Sequence, residues 1–128
     1  MDKAQAIQAF WSSFGIPAYD EQTVPDEDEN GNKVVPPYIT YNVSTDSLNN
    51  PVPLSGSIWY RGTSWTDVTE KAEQIAAYVG ARGHTVIRFD GGYLYVTKGS
   101  PFYQRVSDTD PMMRRIYINV TAEFISAY

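Results

Sequence analysis

The stretch Arg114–Tyr128, RRIYINVTAEFISAY, decides the fold. Ile116, Ile118, Val120, Ala122 and Phe124 fall on one side of a period-two pattern, and Tyr117, Asn119, Thr121 and Glu123 fall on the other. That alternation marks a half-buried strand, because successive side chains point to opposite sides of a sheet. Burying Ile116, Ile118, Val120 and Phe124 contributes about 1.5–3 kcal/mol each. Ordering the backbone costs roughly 1–2 kcal/mol per residue. The strand is therefore stable only inside a sheet whose apolar side is covered. A strand this long, with no catalytic motif before it, points to a scaffold or interaction protein.

Working outward, Lys3–Phe14 reads as an amphipathic helix with Ile7, Phe10, Trp11 and Phe14 on one stripe. Asp2 suits its N-terminus, and Gly15 and Pro17 end it. The polar segment Asp20–Pro37 has no period and reads as a long surface loop with a turn at Asn30-Gly31. Tyr38–Ser44 alternates, with Ile39, Tyr41 and Val43 on one face. A turn-rich connection containing Pro51 and Pro53 leads to a strand at Ser57–Arg61. Ser64 or Thr66 caps a second helix whose stripe is Val68, Ala72, Ile75, Ala76 and Val79. Thr85–Phe89 and Tyr93–Lys98 form a hairpin across Asp90-Gly91-Gly92. Ser100–Met113 reads as irregular. The expectation is an α+β fold: a mostly antiparallel sheet of about five strands with two helices packed on one face.

With 128 residues there is room for one domain, and 42% hydrophobic with 14% aromatic residues places the chain among folded proteins. No run is long and apolar enough for a membrane span, and no secretory signal pattern opens the chain. The absence of cysteine from the sequence removes disulfides, thiolate metal sites and thiol nucleophiles. Net charge is −5, split as −6 over residues 1–50 and +1 over 51–128. This balance disfavours nucleic acid, which needs a concentrated basic face. The gradient is instead of the kind that orients a head-to-tail protein contact, or simply marks a solvated acidic loop.

Three segments imitate functional motifs. Asp26, Asp28, Asn30 and Gly31 match the start of a calcium loop, but the bidentate glutamate such a loop needs falls at Pro37, so an acidic loop is the better reading. Gly80-Ala81-Arg82-Gly83 spells the GxxG of an RNA-binding loop, yet it joins a helix to a strand, where glycines serve as a cap. Tyr93 and Tyr95, with Arg88 nearby, are placed to stack bases, but the acidic balance favours packing. His84 is the single histidine and has no carboxylate near it in sequence to orient it. Glu70 and Glu73 sit off the apolar stripe of their helix. No serine-nucleophile, phosphate-loop or zinc-protease motif is present. The expectation is a non-enzyme without catalytic residues, metal or cofactor, in which exposed Tyr93, Tyr95 and Tyr117 make subunit or partner contacts.

Five segments together give the chain a recognisable layout. They are FWSSFGIPAYDE (Phe10–Glu21), PPYITYNV (Pro36–Val43), SIWYRGTSW (Ser57–Trp65), DGGYLYVTKGSPFYQRVSD (Asp90–Asp108) and RRIYINVTAEF (Arg114–Phe124). Over nearly its full length the chain resembles the tail terminator, or tail-completion, proteins of long-tailed bacteriophages and prophages. The resemblance implies a single domain with a sheet packed on two helices. It further implies a homo-oligomeric, usually hexameric, ring in the neck of the virion, assembled in the host cytoplasm. Such a ring caps the tail tube, ends its polymerisation and joins it to the head connector. It implies no catalytic residue, no membrane and no sequence-specific nucleic acid binding. Another neck component, such as a head-tail connector or minor capsid protein, and a small non-phage protein-binding module are the alternatives.

Overall fold

The computed structural model describes residues 1–45, 50–80 and 85–126. Helix α1 (Lys3–Trp11) continues as a short 3-10 turn, Ser12–Phe14, and strand β1 (Ala18–Asp20) follows. Next come β2 (Tyr38–Tyr41), β3 (Pro51–Arg61), α2 (Thr66–Gly80), β4 (Thr85–Phe89), β5 (Gly92–Val106) and β6 (Met113–Ser126). The fold is mixed α+β, built on one six-stranded sheet in the order β1-β2-β3-β6-β5-β4. β1 and β2 pair in parallel, and the other neighbours pair antiparallel.

Helix α1 starts with a capping box: Asp2 accepts the Gln5 N–H, and the Gln5 side chain accepts the Asp2 N–H, each at 2.8 Å. The 3-10 turn that follows ends at Gly15, whose φ of 82° is left-handed. At the start of α2, Ser64 Oγ accepts the Thr66 N–H at 3.1 Å. The buried faces of the two helices are Ala6, Ile7, Phe10 and Trp11 in α1, and Val68, Ala72, Ile75 and Val79 in α2.

Register puts the sheet's buried residues on one side. Leu54 lies opposite Val120 and Ile58 opposite Ile116. Ile39 lies opposite Ile58 and Leu94 opposite Phe124. These side chains and both helix stripes form a single core. Helix α1 touches both β1 and β4, the two outermost strands, so the sheet curls around it. The Met1 carbonyl accepts the Asp90 N–H at 2.7 Å and the Met1 ammonium meets the Asp90 carboxylate at 3.1 Å. These two contacts tie the start of α1 to the β4–β5 turn.

Four expectations need correction. The sheet has six strands, because Ala18–Asp20 pairs with β2 inside what the sequence presents as a helix-to-loop passage. β2 ends at Tyr41, and Val43 is exposed. β3 begins at Pro51, not Ser57. Asn42 exchanges backbone and side-chain hydrogen bonds with Ser55, so Ser55 points its N–H away from β6. By alternation Pro53 and Pro51 turn their nitrogens to the same side, where β2 no longer runs, and no ladder bond is lost. Finally, β5 does not stop at Lys98. It passes a bulge between Lys98 and Tyr103, where Asn119 donates to the Pro101 carbonyl at 3.1 Å, and pairs with β6 as far as Val106. His84 and most of the GxxG segment lie outside the described residues.

Candidate functional site: the open face of the sheet

One face of the sheet holds the core. The other carries the alternate residues of the same strands, and it is aromatic where β3 ends and β6 begins. Tyr38 on β2 lies opposite Trp59 on β3, and Trp59 lies opposite Arg115 on β6. Tyr19 on β1 meets the Tyr38 ring edge-on at 6.0 Å, and Tyr38 lies 6.4 Å from Trp59. The Arg115 guanidinium sits 4.7 Å from the centre of the Trp59 ring. Hydrogen bonds fix this row from below: Trp59 Nε1–H donates to Thr40 Oγ1 at 2.9 Å, and Arg115 Nε–H donates to Ser57 Oγ at 3.0 Å. Ser57 is thereby satisfied although buried. Partial burial, with Tyr19 nearby, holds the Tyr38 hydroxyl above the ordinary tyrosine range.

Tyr93, Tyr95 and Tyr117 all belong to this open face. Tyr93 is opposite Ile125, Tyr95 opposite Glu123, and Tyr117 opposite Gln104 and Ser57. They are not brought together. Tyr93 and Tyr95 sit near the β4 side, whereas Tyr117 is six positions along β6 from the partner of Tyr95, roughly 20 Å at about 3.3 Å per residue. Tyr117 instead adjoins the Trp59–Arg115 row. Sequence reading missed Tyr19, Tyr38, Trp59 and Arg115 as a group. The alternation of PPYITYNV puts Tyr38 opposite the core side, but only the pairing register aligns it with Trp59 and Arg115.

Two charged features lie outside this face. On the β1 side, Asp26–Val34 forms a small hairpin. Glu27 bridges Lys33, the Asp28 N–H donates to the Asn32 carbonyl at 2.7 Å, and the Val34 N–H donates to the Asp26 carbonyl at 2.9 Å. Asp28 Oδ1 accepts the Asn30 and Asn32 N–H groups, both at 2.9 Å, and so holds the turn from inside. Among the described residues, no group of three or more His, Cys, Asp or Glu is arranged to hold a metal ion. A surface depression of about 420 Å³ separates α1 from β1, lined in part by Asp2, Gln5, Tyr19, Asp20 and Tyr41.

On the helix side of the sheet, where Arg105 lies opposite Ile116 and Arg114 opposite Tyr60, two guanidinium groups approach the Trp65 ring, Arg105 at 4.8 Å and Arg114 at 5.4 Å. Arg114 also donates to the Pro111, Met113 and Thr63 carbonyls, which pins the strand end. Arg61 pairs with Asp110 at 2.7 Å. Among the described residues, no helix is long and apolar enough to cross a membrane. No protein-family model matches the chain, and no curated protein is significantly similar to it.

Proposed function

We propose that this protein is a structural subunit of a long-tailed phage neck. Copies of it form a ring, most simply of six, that caps the tail tube, stops its growth and docks the head connector. It needs neither catalysis nor a cofactor for this. The observation that carries the reading is the open face of the sheet. Tyr19, Tyr38, Trp59 and Arg115 form a pre-organised aromatic–arginine row on a rigid sheet, and aromatic residues and arginine are what protein contacts enrich. The layout of the chain, which resembles the tail terminators, supplies the biological setting.

Deletion of the gene from a phage that carries it tests the proposal. Overlong tails, or tails that fail to join heads, are the expected outcome. Tails of normal length joined to heads would end the terminator reading.

A further inference from the structure

The depression between α1 and β1 is acidic, and a deeply buried residue brings a hydroxyl to it. Asp2 and Asp20 line it, and among the described residues no basic side chain does. Residues 18–30, which form its outer wall and continue into the Asp26–Val34 hairpin, hold six side-chain carboxylates and no basic residue. The cations next to Asp2 in sequence are engaged elsewhere. The Met1 ammonium meets Asp90, and the Lys3 amino group lies 5.1 Å from the centre of the Phe124 ring.

Tyr41 also lines the depression. Only 4% of the residue is exposed, and its ring stacks on Trp11. Its hydroxyl nevertheless makes no hydrogen bond with a described residue, and it is not sealed inside the core. Polar groups carried this deep normally have a partner. Tyr41 lies opposite Asp20 in the β1–β2 ladder, and burial, with the Asp20 charge beside it, holds the hydroxyl above the ordinary tyrosine range. A neutral hydroxyl next to a carboxylate can accept as well as donate.

The acceptors around the depression come from different elements. Asp2 Oδ1 takes the Gln5 N–H and Asp20 Oδ1 takes the Gln22 N–H, which leaves the second oxygen of each without a donor among the described residues. No three His, Cys, Asp or Glu side chains among those residues are placed to hold a metal ion, so a bare cation lacks ligands here. A guanidinium instead brings five donors in a fixed fork. Ala18, Pro25 and Val43 offer its alkyl stem apolar walls, and about 420 Å³ is ample for one long side chain.

We infer that this depression is a docking pocket for an arginine side chain presented by a basic segment of a partner protein. The inference does not depend on the ring reading above.

Amide NMR on isotope-labelled protein titrated with the blocked tripeptide acetyl-Gly-Arg-Gly-amide tests it. The expected result is saturable shifts at Gln5, Asp20 and Tyr41. They should be weaker with the lysine peptide and absent with the citrulline peptide, which keeps the shape of arginine without its charge. Asp20→Asn keeps the acceptor for the Gln22 N–H, and Tyr41→Phe keeps the ring on Trp11, so neither should melt below the parent. Each should weaken the arginine peptide roughly fivefold. The inference is overturned by equal binding of the citrulline or lysine peptide, which needs no variant to detect. Shifts spread over residues 18–30 without saturation, or an affinity indifferent to both substitutions, overturn it as well. Shifts at the same amides on concentrating the protein alone would place a second copy in the depression and overturn it too.

Discussion

The indole of Trp11 presses against the backbone of Gly56: a Cβ placed on Gly56 would meet the ring at 2.8 Å. Trp11 comes from α1 and Gly56 from the middle of β3, opposite Ile118. The same ring stacks on Tyr41 with planes 9° apart. The bare glycine thus lets α1 sink into the hollow of the curled sheet, and the depth of that seat sets how closely both outer strands approach the helix.

Gly56→Ala is therefore expected to destabilise the fold by about 1–3 kcal/mol through overpacking, since an indole cannot yield as a flexible chain end does. The Trp11 Nε1–H is buried with no hydrogen-bond partner, so Trp11→Phe loses area but no hydrogen bond. In a double-mutant cycle by denaturant unfolding, Trp11→Phe should recover part of the Gly56→Ala loss. Strict additivity of the two changes would contradict the close contact.

Much of this arrangement is legible in the sequence, and what is not has identifiable causes. The stripes of α1 and α2 and the alternation of β6 report burial, which side-chain polarity records directly. Pro51 and Pro53 mislead because proline normally argues against a strand; only the sheet order reveals that their nitrogens face an edge with which no described strand pairs. Gly99, Ser100 and Pro101 read as a break, whereas β6 runs on beside them and carries β5 through a bulge. The Trp59–Arg115 row was hidden for another reason. Its members are distant in sequence, and register is a property of pairing, not of either strand alone.

The prolines of β3 lead to a second prediction. Pro53→Val should leave the melting temperature nearly unchanged, because residue 53 is exposed and bonds nothing through its nitrogen. The new N–H lies beyond Ser55 on an edge with which no described strand pairs, so the variant should aggregate at lower protein concentration than the parent. Light scattering on heating checks this, and unchanged aggregation would show that the edge is covered by other means.

The acidic hairpin is expected to be dispensable for folding. Its hydrogen bonds are internal, and replacing Asp26–Lys33 with a short glycine linker removes almost no buried apolar surface. The melt should stay cooperative, with its midpoint within a few degrees of the parent's. Calcium should leave the midpoint of the intact protein where it is, since Asp28 Oδ1 is engaged by the Asn30 and Asn32 amides. A clear calcium-dependent rise would restore the metal reading of this loop.

Asp110 gives a pH signature. The Met112 N–H, and then Arg61, hold its carboxyl below the ordinary aspartate range. A lowered folded-state value means its contribution is complete above the unfolded aspartate pKa and is lost as pH falls through the lower folded value. Carboxyl NMR should find Asp110 titrating below ordinary aspartates. Arg61→Met should raise its midpoint only part of the way, because the Met112 amide remains. A full return to the ordinary value would give Arg61 the larger share.

The open face supports the last prediction, which separates folding from assembly. Tyr117 is half-buried among open-face neighbours and contributes nothing to the core under the sheet, whereas Ile116 and Ile118 beside it are buried. Tyr117→Lys should therefore change stability by no more than about 0.5 kcal/mol, as surface changes do. Tyr93→Lys, at 38% exposure, should behave alike. Trp59→Ala is different in kind, because it removes the Thr40 hydrogen bond and the ring beneath Arg115, so it should cost about 1–2 kcal/mol as well. If the face binds a neighbouring subunit or the tube, Tyr117→Lys places a charge in a desolvated contact and should abolish rings or tail capping while the melt stays intact. Tails of normal length in phage carrying Tyr117→Lys, Tyr93→Lys and Tyr95→Lys together would remove this face from assembly.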